Sequence, residues 1–507
     1  MPNKATSKKI KYLILFILLF ALLIECSKQA DEKTNEVILA KVGNKTISFT
    51  EFIRRAEYTV RPPYCSSNTN IHKKIVLNSL IAEKLMSLEA GNDNEFLTSS
   101  EIQQQLRGRK EQAMRLVQFF EDAYDKVVLD STEIKKYFKH AGRKYKISYF
   151  NVDDSLTANT MEQQIRSGEK TFAECHSQIS PLAAIPGRKV SWVKHENDKI
   201  LDALFSEEQK KDKIIGPLKI SDNQFMFMKV EDWLTQPVIT NQDVQDRWRQ
   251  VSEKLQERDA KVIYDQLIHS IMKEKSIEFS PETFRKLVNL FGPLYFITKE
   301  EKKELATQHM FQLGDKEISY ENFHSDIEAI SNESLFEVDG QVWTVGQFIR
   351  ELNAHPLVFR NKKMKKNEFG KELQFAIIDM VRDSYLTKEA YKKGYDELPA
   401  VKRDVQMWTD NLNYIYQKTK YLKSTGVDTL GNISSGLVID RYLNNYVDSL
   451  QTKYSDIVEV NMEAFEKIKL LRVNMSVIQN NVSFAKPVPG FPQITTDFRL
   501  DYGKKMK

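Results

Sequence analysis

The sequence predicts a mostly helical α+β protein, and three observations carry that expectation. A short hairpin-plus-helix pattern occurs twice, at residues 40–55 and 336–351. Long polar-rich stretches with apolar residues at helical spacing follow each copy. Between the copies, Tyr145 to Val152 alternates as a strand does and opens a stretch of mixed helices and strands.

Composition narrows the function classes. Of 507 residues, 41% are hydrophobic and 29% charged, which excludes a polytopic membrane protein and a mostly disordered chain. The 75 basic and 70 acidic residues give +5, and residues 1–25, with Lys4, Lys8, Lys9 and Lys11 against Glu25, carry three of those charges. A nearly neutral remainder offers no electrostatic case for nucleic acid. Three cysteines exclude a disulfide scaffold.

The N-terminus is a targeting segment. Its lysines precede an unbroken apolar run from Tyr12 to Ile24. A membrane-spanning helix needs about 20 such residues, so the length fits a signal-peptide core. The run ends Leu22-Leu23-Ile24-Glu25-Cys26 and turns polar at Ser27. This resembles the lipobox of bacterial lipoproteins, although Glu25 stands where that family prefers a small residue. The resemblance implies removal of residues 1–25, lipid on the Cys26 thiol and a place in the bacterial cell envelope, on a periplasm-facing membrane. Cys65 and Cys175 then remain, either paired in an oxidising compartment or free.

The first hairpin joins two short strands at Gly43-Asn44, the second at Asp339-Gly340, both expected as type I′-like turns. Val42 aligns with Val338, Ser48 with Thr344, and Phe52-Ile53-Arg54 with Phe348-Ile349-Arg350. Thr50, or Thr344 in the second copy, is a candidate N-cap. Downstream, Leu80 to Met86 echoes Met380 to Leu386, each marking a helix with one buried face. Long helices are expected over Glu101 to Val128 and Val401 to Leu422, and over Asn241 to Lys275 and Val438 to Tyr454. Each copy closes on a short strand and helical turn, Ile277-Glu278-Phe279 in one and Val458-Glu459-Val460 in the other. Three echoes in one order indicate duplication. Unit one spans 37–142 plus 236–291, an insert occupies 143–235, unit two spans 334–472, and 473–507 form a C-terminal arm. In the first unit, residues 37–142 are expected to pack against helix 241–275 and the strand at Phe279.

The hairpin-helix opening, the Leu80-Ile81-Ala82-Glu83-Lys84-Leu85 helix and the returning helix together resemble the chaperone domain of SurA- and PrsA-type periplasmic foldases. The likeness covers most of 37–291 and, more weakly, 334–472. In that family a parvulin-type prolyl isomerase domain is inserted between the helices. The insert here has the corresponding order of strand, helices and two final strands. Its Glu169-Lys170-Thr171-Phe172-Ala173-Glu174, Val190-Ser191-Trp192-Val193 and Ile215-Gly216-Pro217-Leu218 stretches carry the likeness. Parvulins lower the roughly 18–20 kcal/mol barrier to peptide-bond rotation without covalent chemistry, clamping proline above a pair of histidines. Here the histidine positions hold Tyr149 and Met226, and the clamp positions hold Glu196 and Ile200. None keeps the family residue, which implies a degenerate isomerase site.

No nucleotide, metalloprotease or serine-hydrolase motif is present, and the eight histidines lack metal-ligand spacing. No cofactor or metal is expected. The aromatic stripe Phe119, Phe120, Tyr124 reads as core. The resemblance implies a chaperone for unfolded exported polypeptides, attached to the membrane through its N-terminal lipid. Two alternatives are an active prolyl isomerase and a dedicated assembly lipoprotein for one partner complex.

Overall fold

The computed structural model describes residues 36–221, 224–296, 321–427, 435–471 and 475–506. It is mixed α+β, about 58% helix and 14% strand. The segment 1–25 and Cys26 lie outside the described residues. Among the described residues, no helix is long and apolar enough to cross a membrane. The chain divides into two compact units, one within residues 1–114 and 275–507, the other Arg115–Glu274.

The first unit opens with strands β1 (Ile38–Val42) and β2 (Lys45–Ser48), then helices α1 (Phe49–Glu57) and α2 (Asn70–Ala90). Helix α3 (Ser100–Asp122) carries the chain toward the second unit. The cap of α1 is Ser48, not Thr50: the Ser48 hydroxyl accepts the Glu51 N–H at 3.0 Å. Thr344 does the same for Gln347 in the second copy, as its alignment with Ser48 requires. The turns differ as well. Asp339 and Gly340 both have positive φ (52° and 75°), but in the first hairpin only Gly43 does, at 61°. Type I′ needs two such residues, whereas a turn with glycine first needs only one.

The second unit contains α4 (Ser131–Ala141), β3 (Arg143–Val152), α5 (Ser155–Ser167), α6 (Phe172–Ile179), β4 (Gly187–Ser191), α7 (Asp198–Phe205), β5 (Ile214–Ser221), β6 (Gln224–Thr235) and α8 (Asn241–Met272). Its sheet has the order β4-β3-β6-β5, all antiparallel. Period-2 alternation gives the sheet two apolar faces. Phe150, Val152 and Phe227 face Ala158, Met161 and Phe172 of α5 and α6. Tyr145, Ile147, Met226, Met228 and Val230 face α7, and also Ile134 and Tyr137 of α4 and Val251 and Leu255 of α8. Arg143 and Thr235 are register partners, so the ends of 143–235 are adjacent. That stretch nevertheless borrows the cover of one sheet face from the flanking helices.

The chain returns through β7 (Ile277–Phe279), α9 (Pro281–Tyr295), α10 (Glu321–Ile330), β8 (Ser334–Val338), β9 (Gln341–Thr344), α11 (Val345–Ala354) and α12 (Phe369–Lys392). It ends with α13 (Pro399–Ser424), α14 (Asn444–Lys453), β10 (Val458–Val460), α15 (Met462–Glu466) and β11 (Lys504–Lys505). Here the pairing departs from the sequence expectation. The first hairpin does not take the strand at Phe279. Instead β1 pairs with β10, Ala40 opposite Val460 and Val42 opposite Val458. The Phe279 strand pairs with the second hairpin, Phe279 opposite Phe336. Helix α8 packs in the second unit, against α4.

Buried charge accounts for this exchange. Helix α2 was expected to bury one face, yet every residue from Ile75 to Ser87 is buried. Its Glu83 takes a two-pronged contact from Arg55 of α1, 2.8 Å on each prong, and accepts from Asn411 of α13 at 3.0 Å. Its Lys84 reaches Glu51 and Asp410, each at 2.9 Å, and Asp410 also takes Lys45 at 2.5 Å. Burying such ions unpaired costs several kcal/mol each. Asp410 lies on the helix that leads to β10, so the first hairpin and α2 need that half of the chain. The aligned positions in the second copy are Gln341 and Ser384, which bring no cation.

Candidate functional site

The four positions expected to form the degenerate site come together on one face of the second unit's sheet. Tyr149 lies on β3 opposite Met228, and Met226 is two residues along β6 opposite Asn151. Ile200 approaches from α7 and joins the same core. Met226 and Ile200 are each only 2% exposed. Glu196 is tied down by Arg188 of β4, Nη1 to Oε2 at 2.7 Å. The same guanidinium sits 5.1 Å from the centre of the Tyr149 ring. A thioether and a sec-butyl side chain fill the floor, and neither carries a proton to exchange. The nearby histidines lie elsewhere: His140 on α4, His176 on α6 against Phe150, and His195 in the loop after β4.

A more open site lies on another part of the same unit. The C-terminal turns of α3, the segment after β4 and the middle of α8 enclose a cavity of about 640 Å³. Leu116, Phe119, Phe120 and Tyr124 form one wall, Trp192 and Val193 another, and Glu253, Lys254 and Glu257 the rim. Spacing of i, i+3 and i+4 puts Leu116, Phe119 and Phe120 on one face of α3, and Tyr124 follows in the turn just past its end. Its rings are locked edge to face, Phe119–Phe120 at 5.6 Å, Phe120–Tyr124 at 5.4 Å and Phe119–Tyr264 at 5.4 Å. Lys254 braces the opposite side. It donates to the carbonyls of Trp192 and Lys194, and its ammonium lies 5.6 Å over the Trp192 ring. Burial pulls this ammonium below its ordinary pKa despite the nearby Glu257.

The groove remains accessible. Leu116 is 48% exposed, Phe120 43% and Val193 68%. The stripe expected as core is therefore a half-open apolar wall. The sequence showed the stripe but not what covers it. Across from it, α8 presents Glu253 and Glu257 to the groove, while its Tyr264 packs on Phe119. Preformed aromatic walls with a charged rim hold apolar side chains with little geometric demand.

Among the described residues there is no cluster of three or more His, Cys, Asp or Glu fit to hold a metal ion. Cys65 and Cys175 are both free and buried. Burial pushes the Cys65 thiol up to about 12, although Arg61 opposes this, so it carries little thiolate near neutral pH. No family model matches this chain, and no curated protein matches it.

Proposed function

We propose that this is a cell-envelope chaperone that binds unfolded exported polypeptides, tethered by lipid on Cys26, with a parvulin-like sheet domain that does not isomerise proline. The aromatic groove beside Phe119, Phe120 and Trp192 carries the reading. Its walls are apolar, it stands open, and nothing in it reads a particular side chain. Such a surface takes apolar stretches of an extended chain weakly and with little sequence preference. The absence of isomerase activity rests on Met226 and Ile200. A proline clamp needs room above the strands, and core side chains fill that space.

Two measurements test the reading. Leu116→Ala with Phe120→Ala, both at half-exposed positions, should leave the fold intact and cut suppression of aggregation several-fold across a panel of unrelated unfolded clients. Unchanged suppression overturns the placement, and suppression confined to one client favours the dedicated assembly lipoprotein. Uncatalysed X-Pro exchange takes tens to hundreds of seconds, so even weak catalysis is visible in a short peptide. A rate gain that vanishes in Tyr149→Ala would make this an enzyme.

A further inference from the structure

The C-terminal arm lies in the first unit as an extended strap. Residues 475–492 form no helix or strand. They cross α1, α3 and α13, and side chains of α1 and α3 hold the strap's main chain. Gln112 grips Phe484 from both sides, accepting its N–H at 2.8 Å and donating to its carbonyl at 3.0 Å. Arg54 donates to the Pro487 carbonyl at 2.7 Å, and Arg55 to the Gly490 carbonyl at 2.9 Å. These contacts read backbone, and any residue supplies the same carbonyls. They also suit proline, which lacks an N–H and leaves only its carbonyl to satisfy.

Two side chains fill sites below the strap. The Phe484 ring packs under the Arg109 guanidinium, 4.5 Å from its centre, and the same guanidinium stacks on Trp408 at 3.3 Å. Val488 is 3% exposed and plugs a small apolar socket of Leu97, Ile102, Leu106, Met407 and Trp408. Beyond Gly490 the character changes. Phe491 and Ile494 belong to the main core of the unit. Asn78 donates to the Asp497 carbonyl and accepts from the Tyr502 hydroxyl, and Lys504–Lys505 join β10 as a parallel strand. The segment after 491 is thus an anchor, and the segment before it is held mainly by side chains that could hold another peptide.

We propose that residues 484–490 occupy, in cis, a second polypeptide-binding groove, and that an extended, proline-containing apolar segment of a client displaces them while residues 491–505 stay in place. This rests on the chaperone reading above but concerns a different surface. The occupant follows from the strap itself: an aromatic residue, an aliphatic residue four positions later, and proline between them to keep the chain extended.

The test uses the full chain and a labelled peptide with the sequence of residues 480–491. Wild-type protein should bind it weakly. A loosened-strap variant, Phe484→Ala with Val488→Asp, should bind at least tenfold more tightly, and adding Gln112→Ala should remove most of that gain. In parallel, hydrogen exchange on the wild-type protein should show faster exchange at 477–488 when unfolded client is added, with 494–503 unchanged. A folded variant that binds the peptide no better than wild type overturns the proposal. If the variant does not fold, the wild-type exchange pattern decides, and unchanged protection at 477–488 overturns the proposal. Wild-type protein that suppresses aggregation while its strap stays protected refutes the cis occupant and leaves the chaperone reading standing. Wild-type protein that suppresses nothing refutes the chaperone reading.

Discussion

Asp410→Asn removes one negative charge from the centre of the first unit without changing side-chain volume. Asp410 is fully buried and is the counter-ion of both Lys45, at 2.5 Å, and Lys84, at 2.9 Å. It also accepts from Ser87 at 2.9 Å and Gln406 at 2.8 Å. Lys84 keeps Glu51 after the change. Lys45, 5% exposed, loses its buried carboxylate, and breaking a buried pair this way costs about 3–5 kcal/mol. At about 1.4 kcal/mol per tenfold, amide exchange from α2 should quicken by roughly two to three and a half powers of ten if opening precedes exchange. Adding Lys45→Met should recover part of the loss, because the orphaned charge goes with it. The pH dependence has a definite sign. Burial would raise the Asp410 carboxyl, but Lys84 and Lys45 outweigh it and hold its pKa below the ordinary 3.8. A depressed carboxyl contributes stability above its unfolded value and loses it as pH falls through the folded value. The gap between wild type and variant should therefore hold through neutral pH and close below about 4. A change under fivefold in exchange at neutral pH would falsify the idea that buried charge locks these sequence-distant segments together.

Three further outcomes follow from the packing. Gly108→Ala puts a methyl 1.8 Å from the Ala354 carbonyl oxygen; since that neighbour is backbone, α3 must move off α11, and urea titration should show a loss of about 1–3 kcal/mol. Excising 143–235 and joining the adjacent ends strips the cover from Ile134, Tyr137, Val251 and Leu255; light scattering should show aggregation, and a soluble, cooperatively melting product would mean α4 and α8 find other partners. Cys26→Ala should move the protein from the membrane to the soluble envelope fraction, because two or three acyl chains at about 0.8 kcal/mol per buried methylene make a firm anchor; an unmodified mature N-terminus elsewhere in the chain, seen by mass spectrometry, contradicts this.

What the sequence determined by itself is local. The helix start at Thr344, the two-residue hairpin loops, and the strand-helix-strand order of 143–235 follow from turn chemistry and short-range periodicity. Those signals act over a few residues and do not need the rest of the chain. Tertiary structure decided which hairpin meets which closing strand. Ile277-Glu278-Phe279 and Val458-Glu459-Val460 have the same apolar-Glu-apolar pattern, so this pattern alone does not say which hairpin edge takes which strand. The choice falls to Lys45 and Lys84, whose buried ammonium groups share the Asp410 carboxylate. No window of sequence contains both halves of that arrangement. The aromatic groove was hidden for a related reason. Phe119, Phe120 and Tyr124 make the same stripe whether a helix covers them or not, and only the tertiary placement of α8, with Tyr264 on Phe119 and Glu253 and Glu257 at the groove, leaves Leu116 and Phe120 open.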